Sequence, residues 1–98
     1  MSRRPVGYHP AAFVEAEGAA TWYRERSPLA EAAFLAELEQ AIREIATAPQ
    51  RWPPYLRRSR RYLLHRFPFS VIYRQRGGRI QIVAIAHAHR RPGYWRKR

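Results

Sequence analysis

Apolar positions along the chain change their spacing once, near Pro49. Before it they recur every three or four residues. From Pro10 to Arg26, Phe13, Ala16, Ala20 and Tyr23 follow helical spacing, with Glu15, Glu17 and Arg24 off that line. Pro10 suits a first helical position, where its fixed φ and missing N–H cost nothing. Gly18 weakens this helix by roughly 1 kcal/mol relative to Ala, unless it serves the close approach of a neighbouring element. Ser27-Pro28 then closes one helix and opens the next, with a capping hydroxyl followed by Pro. Over Leu29–Ala46, Leu35, Leu38, Ile42 and Ile45 form one stripe, flanked by Phe34 and Ala41, while Glu37, Glu39, Arg43 and Glu44 lie largely away. So short a link predicts an antiparallel helical hairpin.

After Pro49 the pattern becomes short runs of β-branched and aromatic residues: Tyr62–Phe67, Phe69–Arg74 and Arg79–His87. Phe67-Pro68 separates the first two. Gly77-Gly78 separates the last two and predicts a two-residue hairpin turn, because both positions need φ > 0. Val6–Tyr8 supplies a short N-terminal edge strand. The expectation is a single α+β domain over residues 1–98, ordered βααβββ, with a three-stranded antiparallel meander. A two-residue turn would pair Tyr73 with Ile82, Val71 with Ala84 and Phe69 with Ala86 on one apolar face, the natural seat for the helices. Ile72, Val83, Ile85, Ser70, Arg74, Gln81 and His87 would fall on the other. With an even-numbered loop at Phe67-Pro68, Tyr62 and Leu64 join the first face and Arg61, Leu63 and His65 the second; a three-residue loop swaps them. One even register sets Arg61 opposite Arg74, either as two splayed, solvated arginines or as a site awaiting an anion.

Charge divides the chain at the same point. Gln50–Arg98 holds 13 Arg, one Lys and no Asp or Glu, whereas Met1–Pro49 holds five Arg and seven Glu. The net +12 implies an anionic partner: nucleic acid, an acidic protein segment or an anionic surface. A hydrophobic fraction of 46% nevertheless provides for a folded core. There is no Cys, which fits a reducing compartment. The start MSRRPVGY lacks the apolar core of a secretory signal, and no apolar run approaches the roughly 18 residues of a membrane span. A cytoplasmic location is therefore expected.

The candidate chemistry is cationic. His87-Ala88-His89 has strand spacing for two metal ligands, but no carboxylate or thiol follows Glu44 and the surrounding arginines repel a cation, so neither metal nor cofactor is expected. The seven Glu read as solvated helix faces. A metal-free ribonuclease would need proton carriers and positive charge on the phosphorane; Arg61, His65, Arg74 and His89 are the candidates. The tail interleaves Arg90, Arg91, Arg96, Lys97 and Arg98 with Tyr94 and Trp95. Those rings either stack on a target or fold back onto the sheet. Trp52 and Tyr55, in the proline-stiffened WPPY, either plug the core edge or offer stacking platforms.

Several motifs together resemble one family. YHPAA, SPLAEAAFLAELEQAIREI, WPPY, RFPFSVIYR and AIAHAHRRPGYW, in this order, are similar to the RelE/ParE superfamily of type II toxin–antitoxin toxins, and more to its ParE branch. The closing His87, Arg90, Pro92, Tyr94 and Trp95 are the most specific part. The resemblance implies a toxin held inactive by a cognate acidic antitoxin in a hetero-oligomer, with DNA gyrase as the target of ParE-like members and ribosome-bound mRNA as that of RelE-like ones. Arg61 fits the RelE pattern, but Ser70 stands where its second-strand Arg belongs, and His89 and Trp95 fall near its tail positions. Gyrase poisoning is therefore the first expectation, mRNA cleavage the second, and a basic nucleic-acid-binding domain the third. The tail residues Arg90, Arg91, Tyr94, Trp95, Arg96, Lys97 and Arg98 are the expected target surface. Arg61, Arg74, Gln81 and His87 are the expected antitoxin surface.

Overall fold

Ser27 sets the geometry of the helical half. In the computed structural model, which describes residues 3–98, its N–H donates to the Tyr23 carbonyl at the end of α1 (Pro10–Arg26). Its Oγ accepts from the N–H groups of Leu29 and Ala30 at the start of α2 (Pro28–Thr47). One extended residue thus satisfies groups at two helix termini and folds the hairpin. At the start of α1 the cap is an imidazole: His9 Nδ1 accepts from the Ala11 N–H at 3.0 Å.

Both helices bury a slightly different face from the one the spacing suggests. On α1 the buried residues are Ala12, Ala19 and Ala20, while Phe13 is half-exposed and meets Tyr8 edge-on. The alanines let α1 lie close against the sheet; Phe13 is too large for that contact. On α2 the core residues are Phe34, Leu38, Ala41 and Ile45, and the expected Leu35 is exposed. Phe34 sets that rotation, since its ring lies 5.3–5.5 Å from those of Tyr23, Phe67 and Phe69.

The sheet has five strands: β1 (Val6–Tyr8), β2 (Pro54–Tyr55), β3 (Ser59–Leu63), β4 (Phe69–Arg76) and β5 (Arg79–His87). Their order is β1-β5-β4-β3-β2, with β1 parallel to β5 and the other pairs antiparallel. The two-residue β2 was not expected, and β3 begins three residues before the expected Tyr62. Pro53 and Pro54 hold the preceding segment extended, so it pairs along the edge of β3. The β3–β4 turn is closed by the Leu64 N–H donating to the Phe69 carbonyl at 3.0 Å, and its tip is held from outside the sheet. There the Glu37 carboxylate on α2 accepts from the N–H groups of His65 and Arg66 and from Arg66 Nε.

Gly77 and Gly78 both have positive φ, and Tyr73 pairs with Ile82 as expected. Beyond that pair the expected register fails. Ile72 pairs with Ala84, leaving Val83 as an extra residue in β5, so Val71 faces Ile85 and Phe69 faces His87. A β-bulge therefore exchanges faces for the rest of the strand. Ile85 joins Phe34, Leu38, Tyr62, Val71, Tyr73 and Ile82 in the core beneath the helices. Val83 and Ala84 join Ile72 on the outer face. The expected opposition of Arg61 and Arg74 does not form: Arg61 lies opposite Ile72 and Arg74 opposite Gln81. Among the described residues no helix is long and apolar enough to cross a membrane.

Candidate functional site

The outer face is not left to solvent. The segment after β5 turns back across it, and Trp95, 1% exposed, closes a second apolar cluster with Ile72, Val83 and Ala84. The small Ala84, placed there by the bulge, leaves room for the indole. Tyr55 flanks Trp95 at 6.1 Å between ring centroids. The Arg74 guanidinium lies 5.9 Å from the Trp95 ring and donates to the main-chain oxygen of Arg98 at 2.8 Å. Burial, then the neighbouring Arg76, lowers the pKa of Arg74. The fold-back alternative for Tyr94-Trp95 is the one adopted, so the Trp95 ring is not presented for stacking.

Glu15 anchors this tail. β1 pairs β5 only over Ile80–Ile82, which leaves the edge of β5 free further on. There Glu15 Oε1 accepts from the Ile85 N–H at 3.0 Å, and Arg98 donates to the Val83 carbonyl at 3.2 Å. Glu15 also accepts from Tyr94 Oη at 2.7 Å and from both terminal nitrogens of Arg98, at 2.9 and 3.0 Å. Burial first, and then this hydrogen bond, push the Tyr94 phenol well above its ordinary value. Hydrogen bonding to Glu15 raises the pKa of Arg98 as well. Glu15, read from spacing as solvated, is in fact an edge cap and charge partner. Two other glutamates depart from that reading: Glu37 caps the β3–β4 turn, and Glu44 accepts from Tyr62 Oη. A half-chain rich in arginine without a carboxylate draws its anions from the helices.

What remains exposed is cationic. Arg90, Arg91, Arg96 and Lys97 are exposed, whereas Arg98 is held by Glu15. Arg90 stacks over Tyr94 at 3.9 Å and Arg61 over Tyr55 at 4.3 Å. With Ser70 and Arg91 they rim a concavity of about 90 Å³ whose lining includes no carboxylate. Arg57 and Arg58 stand exposed on a turn with left-handed φ of 56° and 59°. Such backbone costs on the order of 1–3 kcal/mol per non-Gly residue. The Ser59 hydroxyl, donating to the Leu56 carbonyl, helps hold it.

The four ribonuclease candidates share no single site: Arg61 and His65 line one concavity, with Trp52 and Glu44, and Arg74 and His89 stand outside it. Arg74 is occupied by Trp95 and Arg98, and His89 lies exposed beside His87, their rings 5.2 Å apart. His87 Nδ1 accepts from the His89 N–H, and among the described residues no group of three or more His, Cys, Asp or Glu could hold a metal. Of the expected antitoxin surface, Arg61, Arg74 and Gln81 are half-buried on the three inner strands β3, β4 and β5. The bulge carries His87 to the other side, where its ring meets Phe69 at 5.0 Å. Trp52 lies against Tyr62 at 4.9 Å, so it plugs the core edge.

One site was missed from sequence. Between α1 and the ends of β4 and β5 runs a groove of about 400 Å³. Trp22, Tyr23, Phe69 and Ile85 supply apolar walls, Gly18 opens one side, and Arg90 and His87 stand at one end. The only sequence signal was Gly18, an unexplained glycine inside a helix.

A parallel N-terminal strand beside the last strand, a helical hairpin over one face and a basic C-terminal return over the other define a RelE/ParE-like α+β domain. Residues 6–92 match the family described as the ParE toxin of type II toxin-antitoxin system, parDE, and the chain belongs to that family. Among solved structures, the chromosomal ParDE toxin–antitoxin system from P. aeruginosa is similar in fold, with a TM-score of 0.76 at 16% identity over 89% of this chain and 98% of that chain. No curated protein matches the sequence.

Proposed function

We propose that this ParE-family toxin arrests growth by poisoning DNA gyrase, without hydrolytic chemistry of its own, and that an acidic antitoxin neutralises it in the cytoplasm. The observation that carries the reading is the exposed cationic set Arg90, Arg91, Arg96 and Lys97, none in a salt bridge to a carboxylate among the described residues. Such a surface holds DNA phosphate or an acidic protein segment by charge alone. The alternative of mRNA cleavage would require His65 and His89 to serve one phosphodiester, and they stand in different surroundings. An acidic partner that also buries apolar surface should bind more weakly as salt rises, yet survive moderate salt.

The test is growth arrest followed by two readouts: gyrase supercoiling with purified protein, and mapping of mRNA 5′ ends. Lost supercoiling with unaltered messages supports the proposal. New 5′ ends with intact supercoiling would replace it with ribosome-dependent cleavage.

A further inference from the structure

The sheet has two tight hairpins, and only one is built from the residues its backbone favours. At the β4–β5 turn Gly77 and Gly78 take φ of 52° and 79°, which glycine adopts without steric cost. At the β2–β3 turn Tyr55 pairs with Ser59 across Leu56–Arg58, and the residues at φ 56° and 59° are Arg57 and Arg58. Both side chains are dispensable to the bonds that close this turn, since the Ser59 N–H and hydroxyl donate to the Leu56 carbonyl. Both arginines are exposed, and among the described residues neither forms a salt bridge or stacks on a ring. Nothing inside the chain calls for arginine at either position, although the backbone there favours glycine or asparagine.

The turn also continues a larger cationic face. Leu56 leans on the tail, where a Cβ on Gly93 would lie 3.5 Å from its Cδ1. Next to it, Tyr55, Arg61 and Arg91 line the concavity that includes no carboxylate. The chemistry of this face selects its partner. Arg61 covers the Tyr55 ring at 4.3 Å, Arg90 covers the Tyr94 ring at 3.9 Å, and Trp95 is buried in the outer cluster. These rings are therefore not presented for the base stacking on which single strands rely. An acidic protein segment gains affinity from apolar burial, and the turn offers it only Leu56. A duplex backbone needs charge alone and presents a closely spaced row of phosphates.

We propose that Arg57 and Arg58 form a phosphate-contacting tip through which the chain binds the backbone of double-stranded DNA, alongside Arg91 of the tail and independently of base sequence. The closed turn fixes where the two side chains leave the sheet edge, so little backbone ordering is needed on binding. The inference goes beyond gyrase poisoning, because the contact is between this chain and DNA and is made with no gyrase present.

The test uses the full chain, free of antitoxin, with a fluorescently labelled DNA duplex of mixed sequence as probe and anisotropy read across a salt series. Arg57→Gly with Arg58→Gly should bind about tenfold more weakly at low salt and flatten the slope of log affinity against log salt by about 2, one unit per phosphate contact. Its Tm should not fall, since glycine takes positive φ without strain. Arg76→Gln with Arg79→Gln removes the same charge from exposed positions at the other hairpin and should cost less than about threefold. Equal losses in the two double variants would reduce the effect to net charge and overturn the site. A Tm several degrees lower in the glycine variant would assign the arginines to the fold and overturn it as well. A single strand of equal length bound more tightly than the duplex, or poly-glutamate displacing the duplex at equal charge, would change the partner and overturn the proposal. Duplex binding that depends on the pair while gyrase is unaffected would support it and remove the gyrase reading alone.

Discussion

Glu15 and Arg98, 83 positions apart in sequence, form a two-pronged ion pair at 2.9 and 3.0 Å that closes the free edge of β5. Both side chains are more than four-fifths buried, and the same carboxylate holds the Ile85 N–H and the Tyr94 hydroxyl. The C-terminal residues are therefore part of the fold. Losing Arg98 releases an edge cap and loosens the segment that carries Trp95.

Glu15→Ala should accordingly be among the most destabilising changes on α1. It orphans a strand N–H, a phenol and a guanidinium together, and a loss of about 2–3 kcal/mol is expected. Arg98→Ala leaves Glu15 two donors and should cost less, about 1–2 kcal/mol. Urea unfolding of both variants checks the order, and equal midpoints to wild type would disprove the clamp.

Ser27→Ala should cost about 1–2 kcal/mol, because one hydroxyl accepts from two N–H groups at the head of α2. Ser27→Asp should recover most of it, which thermal melts would show.

Acid sensitivity should trace in part to Glu37. Burial alone would raise its carboxyl, but the His65 and Arg66 donors outweigh burial and its folded pKa lies below 4.5. A depressed folded value means stabilisation that is present above pH 4.5 and disappears as pH falls through the lower, folded pKa. Glu37→Gln should be less stable than wild type near neutrality, with the two converging in acid. A constant difference down to pH 2 would contradict this account (roughly the lower end of folded carboxylates).

Much of this architecture is legible in the sequence, and the departures have physical causes. Helix limits follow from Pro10, Ser27 and Pro28, and the β4–β5 hairpin from Gly77-Gly78, because these residues act through local backbone geometry. The bulge at Val83 leaves no such mark: Ile80 to Ala86 is nearly all apolar, so alternation cannot report an inserted residue. Glu15 looks like any helix-surface carboxylate because its partners lie 70 to 83 residues away. Trp95 reads equally well as a stacking ring or a core residue, and the small Ala84 opposite decides for the core.

The exposed and clamped parts of the tail should separate in cells. Arg96→Glu with Lys97→Glu should relieve growth arrest while unfolding midpoints stay within about 0.5 kcal/mol of wild type, since both side chains are exposed. Arg98→Ala should relieve arrest only as far as it lowers stability. Growth curves beside melts distinguish the two, and full toxicity of the double variant would remove Arg96 and Lys97 from the working surface.

The most direct measurement is gyrase-dependent DNA cleavage with purified toxin, free of antitoxin, at concentrations that stop growth. The account predicts inhibited supercoiling and accumulation of cleaved DNA with the wild-type chain, and loss of both with the Arg96→Glu, Lys97→Glu variant. Unchanged supercoiling and no trapped cleaved DNA with the wild-type chain would contradict it.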